Sequence, residues 1–245
     1  MRKIFSSIVL LTIINGCSTN EVKPQVVIEP VVEVKKEDPF EIAKQSCLAE
    51  NAKGCIDFGW IMVEQKDYGL AKTAFGMAYD YGEKDGKSCG MFAWYLEKGK
   101  GGSQDYKDAR KYYQKAIDLR DTDSLGSLAH LYSKGLGGER SYFKATKLFE
   151  KSCNAGTTDV NYENCYNAGY SYSKGEGVRQ DNFKAVKLYR KACSGGYADA
   201  CTNLGWMYDY GKGVRQNKST AKKYYGKGCD MGHDLGCTNY AKLNR

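Results

Sequence analysis

The chain has 245 residues, 42% of them hydrophobic and 27% charged, with a formal net charge of +8. Its one sustained apolar run lies near the N-terminus and is too short to span a bilayer as a helix, which excludes a protein of many membrane spans. Charges of both signs alternate along the chain, with no block of like charge and no zinc-finger spacing, so no nucleic-acid partner is expected.

Arg2 and Lys3 precede the apolar run from Ile4 to Ile14, which is the layout of a secretory signal. The run ends Ile14-Asn15-Gly16-Cys17, and this resembles a bacterial lipobox, with Asn15 an untypical residue in it. The resemblance implies a signal peptide over residues 1–16 and lipid on Cys17, and a polar Ser18-Thr19-Asn20 stretch follows directly. Ser18 replaces the aspartate that marks inner-membrane retention. Attachment to the bacterial outer membrane, facing periplasm or cell surface, is therefore expected; an unanchored periplasmic or secreted protein is the alternative. Residues 17–45 hold all three prolines, Pro24, Pro30 and Pro39, and are read as an extended tether. Contact with the membrane is expected through the lipid anchor only.

Residues 46–245 contain no proline and carry +8. Cysteine recurs there in a fixed rhythm: Cys47 and Cys55, Cys193 and Cys201, and Cys229 and Cys237 are each eight apart. The second cysteine of each pair opens a row at i, i+3, i+4 and i+7, one face of a helix. Cys201, Leu204, Gly205 and Tyr208 form one such row. Cys165, Ala168, Gly169, Tyr172; Leu125, Leu128, Ala129, Tyr132; Cys89, Phe92, Ala93, Leu96; and Cys55, Phe58, Gly59, Met62 are its counterparts, and Cys237 begins a sixth. The i+4 residue is always Gly or Ala. Glycine inside a helix costs up to about 1 kcal/mol, so a close helix–helix approach is expected there.

A second row follows in each unit, as in Ala185, Leu188, Tyr189 and Ala192. Between the rows lie Gly99-Lys100-Gly101, Gly135-Leu136-Gly137, Gly175-Glu176-Gly177 and Gly211-Lys212-Gly213. Each unit is thus a helix A, a glycine turn and a helix B, and neither helix buries its apolar face alone, so the units stack. Successive rows start 34, 36, 40, 36 and 36 residues apart. The 40 comes from extra residues near Thr157 to Val160, which also stretch one cysteine pair to Cys153 and Cys165. The first unit lacks the glycine turn. The fold class is all-α, a solenoid of about five repeats and a C-terminal half repeat over residues 46–245.

The cysteines are expected to staple helix B of one unit to helix A of the next, as Cys47–Cys55, Cys153–Cys165, Cys193–Cys201 and Cys229–Cys237, in an oxidising compartment. Two junctions depart from this. Ile117 and Leu125 replace both cysteines at one. At the other, Tyr79 takes the first position and leaves Cys89 as a free, buried thiol.

The pattern L-G-x-x-Y-x-x-G-x-G-V from Leu204 to Val214, continued through Ala221, Tyr224, Tyr225 and Lys227, resembles the Sel-one-like repeat. Joined to the cysteine spacing it resembles the cysteine-rich secreted repeat proteins of Helicobacter and relatives, which are tetratricopeptide-like. The resemblance implies a right-handed α-solenoid whose concave groove binds a protein or peptide of the cell envelope. It also implies an alternative: penicillin binding with weak β-lactamase activity, and so a β-lactam or peptidoglycan-related ligand.

The residues themselves offer that chemistry little. S-x-x-K occurs at Ser141–Lys144, Ser171–Lys174 and Ser219–Lys222, without the S-D-N or K-T-G that accompany it in β-lactamases. No catalytic residue is named. The two histidines, His130 and His233, are not at metal-ligand spacing, so no metal and no cofactor is expected. The many tyrosines are read as packing between helices. Asn167, Asn203 and Asn239 recur two residues after the cysteine of helix A, and asparagine is a poor helix former. A groove-binding polar ladder is one reading; a local structural hydrogen bond is the other.

Overall fold

The structure, a computed structural model, describes residues 38–82, 85–156 and 158–244. The expected signal peptide, Cys17 and most of the expected tether lie outside the described residues. Those described form twelve helices and no strand. A lone helix α1 (Pro39–Leu48) comes first. Five A–B pairs follow: α2 (Ala52–Glu64) with α3 (Tyr68–Asp80), α4 (Gly86–Lys98) with α5 (Tyr106–Asp118), α6 (Ser124–Lys134) with α7 (Tyr142–Ala155), α8 (Asp159–Lys174) with α9 (Asn182–Ser194), and α10 (Ala198–Tyr210) with α11 (Lys218–Asp230). The sixth A helix, α12 (Asp234–Lys242), has no B partner among the described residues. Each helix packs on the next in chain order, as an α-solenoid requires.

Helix begins before residue 46, inside the segment expected to be extended. Pro39 begins α1, with Asp38 as N-cap accepting a hydrogen bond from the Phe40 N–H at 3.0 Å. Proline lacks an N–H that the first helical position does not need, so here it starts a helix instead of preventing one. Ala43 and Cys47 are buried, and the Phe40 and Phe58 rings lie 5.6 Å apart. Among the described residues, a half repeat therefore stands at each end of the five pairs.

The small residue of each A helix is small because a ring from helix B lies on it. A Cβ on Gly205 would sit 2.7 Å from a Tyr225 ring carbon, and one on Gly169 would sit 3.0 Å from Tyr189. Phe75 covers Gly59 in the same way, and Ala93 with Tyr113 and Ala129 with Phe149 share core clusters. Where the ring is tyrosine its buried hydroxyl finds a partner one turn further along helix A. Tyr113 donates to Glu97 at 2.7 Å and Tyr225 to Asp209 at 3.4 Å, while Tyr189 meets Ser173 Oγ at 3.2 Å. Burial, with the carboxylate beside two of them, pushes these phenols well above their ordinary pKa.

The glycine turns lock neighbouring pairs. Gly177, at φ 70°, rests against the backbone of Tyr142 and Phe143 at the start of α7, where any side chain would collide. Gly101, Gly137 and Gly213 sit likewise on the starts of α3, α5 and α9. The first pair turns without glycine: Lys66 takes the left-handed conformation at φ 62°. The extra residues of the fourth unit lengthen α8 at its N-terminus, where Asn161 Nδ2 donates to the Ser152 carbonyl and Asn164 Nδ2 to Ser152 Oγ, both at 2.9 Å.

Cys47–Cys55, Cys153–Cys165, Cys193–Cys201 and Cys229–Cys237 are disulfide-bonded, with Cα atoms 4.3 to 4.6 Å apart. Each ties a B helix to the following A helix. Leu125 is buried and Ile117 half-buried where the third pair would be. At the α3–α4 junction the Lys115 ammonium donates to the Tyr79 hydroxyl and lies 4.2 Å from its ring centroid, and the Tyr79 and Tyr112 rings meet edge-on at 5.5 Å. Cys89 is a free thiol, 1% exposed, donating to the Tyr112 carbonyl at 3.4 Å.

Gly205→Ala tests the ring contact. The substitution gains about 1 kcal/mol of helix propensity, but overpacking against a buried ring costs about 1–3 kcal/mol. A lower unfolding midpoint is expected, and a higher one would show that Tyr225 yields freely. Cys89 supplies a second test. Burial, opposed by Lys115 and reinforced by Asp121 and Asp85, pushes its pKa from 9.0 up to about 11. The folded state therefore holds the thiol proton more tightly, and that stabilisation is complete below pH 9 and lost between about pH 9 and 11. Native protein at pH 8 should leave Cys89 unlabelled by iodoacetamide, and Cys89→Ala should show a shallower loss of stability across that alkaline window.

Candidate functional site

Positions i+2 and i+5 of each A helix lie opposite the stripe formed by i, i+3, i+4 and i+7, although Trp60 and His130 at i+5 still meet Phe75 and Phe149 of helix B, with ring centroids 5.3 and 5.0 Å apart. The i+2 row reads Asp57, Met91, Ser127, Asn167, Asn203 and Asn239. The i+5 row reads Trp60, Trp94, His130, Tyr170 and Trp206, so it takes all three tryptophans of the chain. Tyr170 is 38% exposed and Trp206 43%, His130 is exposed, and Trp60 and Trp94 are half-buried. Assigning the aromatic residues wholesale to packing hides this row. Its signal was register: one ring per unit at one fixed offset from the helix start.

Two cavities open along these rows. One of about 360 Å³ lies among α4, α5 and α6, lined by Lys87, Met91, Trp94, Tyr113, Asp121 and Ser127. The other, of about 580 Å³, lies among α8, α9 and α10, lined by Tyr170, Ser173, Tyr189, Asn203, Trp206 and Lys212. Rings provide flat apolar floors, while the hydroxyls, amide and ammonium groups offer polar contacts along an elongated ligand.

The three asparagines do not share one environment. Asn203 lines the larger cavity and faces the Tyr166 and Tyr189 hydroxyls. Burial raises the pKa of both phenols, and the Asn203 amide partly offsets the rise. Asn167 is half-buried, and its Nδ2 is enclosed with no hydrogen-bond partner. Asn239 is half-buried on the terminal α12.

Two of the three S-x-x-K serines make structural hydrogen bonds. Ser141 Oγ caps α7 by accepting from the Lys144 N–H at 3.3 Å, and Ser171 Oγ donates to the Asn167 carbonyl at 3.1 Å. A Thr202–His233–Asp199 chain does form, with Thr202 Oγ1 to Nδ1 at 2.8 Å and Nε2 to Asp199 at 3.2 Å. Thr202 is buried, and its hydroxyl is walled in by the Gly228 and Gly236 backbones, so no substrate reaches it. His130 Nε2 lies 3.8 Å from Glu163. Among the described residues no three His, Cys, Asp or Glu side chains are grouped to hold a metal ion. No described helix is long and apolar enough to cross a membrane.

The Sel1 repeat is the family description that matches, over residues 67–121, 123–157, 165–197 and 198–233. Among solved structures the chain is similar to a Sel1 repeat protein from Oxalobacter formigenes, at 24% identity over 75% of this chain and 73% of that one, with a TM-score of 0.67. It is similar to YrrB, described as a TPR protein with an unusual peptide-binding site, at 18% identity over 82% and 97% of the two chains, with a TM-score of 0.56. Cysteine rich protein B of Helicobacter pylori is 30% identical over 54% of this chain and 92% of that one, with a TM-score of 0.39. No curated protein matches by sequence.

The orphaned Asn167 amide yields a prediction. A buried donor without a partner carries a desolvation penalty of about 1–3 kcal/mol, so Asn167→Ala should leave the melting temperature unchanged or raise it. A marked fall would show that the amide is bonded in solution and structural.

Proposed function

The chain belongs to the Sel1 repeat family, and we propose that it is a lipid-anchored extracytoplasmic scaffold that holds a protein or peptide segment along its A helices. The observation that carries this reading is the pairing of the i+2 and i+5 rows. Stacked A helices present ring after ring beside amides and hydroxyls, and amides offer both donor and acceptor to a peptide backbone of any sequence. The peptide-binding site named for YrrB belongs to that protein, and comes to this chain only as part of the proposal. Four disulfides support an oxidising compartment, and the Gly16-Cys17 junction supports an anchor that holds the scaffold at a membrane surface.

Two measurements test the proposal. A photo-crosslinking residue at Trp206 should trap an envelope protein in living cells, and Tyr170→Ala with Trp206→Ala should weaken the isolated complex at least roughly ten-fold, since a buried aromatic anchor typically carries more than 1 kcal/mol. Both rings are partly exposed, so stability should barely change. A complex that survives the double substitution would move the binding surface elsewhere. Cys17→Ser should let a high-salt wash release the protein from the membrane fraction with its repeats folded; retention through that wash would defeat the anchor.

A further inference from the structure

The charges that alternate along the chain are sorted in space. In an antiparallel stack every A-to-B turn falls on one edge and every B-to-A turn on the other, and the nesting of each glycine turn on the preceding B-helix start shows this directly. On the glycine-turn edge of the last three pairs, residues 133–147, 173–187 and 209–219 hold eleven Lys or Arg against four Asp or Glu. On the opposite edge, with the last turn of each B helix included, residues 115–123, 152–163, 191–199 and 227–236 hold eight Asp or Glu against four Lys or Arg. Lys184 pairs with Glu150 and Lys218 with Asp209; the other nine edge cations have no carboxylate within ion-pair distance among the described residues.

Phenylalanines protrude among these cations. Phe143 and Phe183 are each the second residue of a B helix, in α7 and α9, and are 57% and 73% exposed. Neither is needed for the core, which the glycine-covering rings fill. A depression of about 750 Å³ joins them, lined by Lys147, Val178, Arg179 and Lys184.

We propose that this edge docks on an anionic lipid bilayer. Phe143 and Phe183 enter the boundary between headgroups and acyl chains, as aromatic side chains on interfacial segments do. Arg140, Lys147, Arg179 and Arg215 meet lipid phosphates. The acidic edge is repelled by the same surface, so the charge asymmetry fixes the orientation and leaves the A-helix rows free for a partner. An acidic polymer would satisfy the cations but not the phenylalanines. This inference stands apart from the proposed anchor and from the peptide-binding reading.

The test uses the full chain with Cys17→Ser, so that no acyl chain contributes. Co-sedimentation is expected with vesicles of phosphatidylglycerol and phosphatidylethanolamine, decreasing with salt, and not with phosphatidylcholine vesicles. Each of Lys147→Gln and Arg179→Gln should weaken binding roughly five-fold. Phe143→Ser with Phe183→Ser should weaken it roughly ten-fold or more, with an unchanged circular dichroism spectrum because both rings are exposed. Amide exchange at 140–147 and 178–187 should slow on the anionic vesicles, which an association through the N-terminus would not produce. Unchanged exchange in those segments, binding indifferent to both sets of substitutions, binding to dextran sulfate but not to vesicles, or a salt-sensitive oligomer of the protein alone in place of vesicle binding would each overturn the proposal. If the phenylalanine variant misfolds, the charge variants and the exchange pattern decide.

Discussion

Everything in this solenoid follows from one contact, a ring of helix B laid on a residue of helix A too small to hold it off. Helices of 13 residues or so are marginal on their own in water, and an apolar stripe of four positions per helix does not make a core until a second helix covers it. Phe75, Tyr189 and Tyr225 supply that cover on Gly59, Gly169 and Gly205, and Tyr113 and Phe149 share core clusters with Ala93 and Ala129. The close approach fixes which face of helix A is inside, and thereby which face is not. It also explains Glu97, Ser173 and Asp209, polar residues one turn along that receive or meet a buried phenol.

The covalent staples reinforce a stack that packing has already defined. Each eight-residue closure stabilises by about 2–3 kcal/mol on the chain-entropy account, and the contributions do not simply add. Their placement is informative. Cys47–Cys55 ties the half repeat α1 to α2, and Cys229–Cys237 ties α12 to α11. These are the first and last described helices, each with a neighbour on one side only among the described residues, and helices so placed are the most prone to fray. Both unstapled junctions, α3–α4 and α5–α6, are interior. One is held by Lys115 against the rings of Tyr79 and Tyr112, the other by apolar burial around Leu125.

Helix register was legible in the sequence because the apolar rows repeat with the cysteines, and the stapled pairs follow from the same spacing. What escaped did so for physical reasons. Pro39 reads as a breaker unless its position within the helix is known, since the same ring that disrupts a helix interior suits its first residue. Lys66 looks ordinary in sequence, yet it takes a left-handed turn that glycine takes elsewhere. The i+5 rings were visible as letters but not as a row, because composition counts tyrosine and tryptophan without asking which side of the helix they occupy. Charge was the deepest failure of a linear reading. Alternation along the chain becomes separation in space once antiparallel helices carry successive turns to opposite edges.

The buried positions leave the rest of each A helix free to vary without disturbing the fold, and the chain uses that freedom unevenly. In the first three units the i+2 residue is Asp57, Met91 or Ser127; in the last three it is asparagine. The exposed phenylalanines and the larger of the two A-helix cavities belong to the third pair onward as well. The earlier helices contain the buried thiol, the glycine-free turn and an aromatic cluster around Phe75, Tyr95 and Trp94. Such a division is natural for a repeat fold in which each unit is stabilised by its neighbours alone. The earlier units can serve as folded support, and the later ones can carry the surfaces that meet other molecules, because a change in one pair is felt only by the pairs it touches.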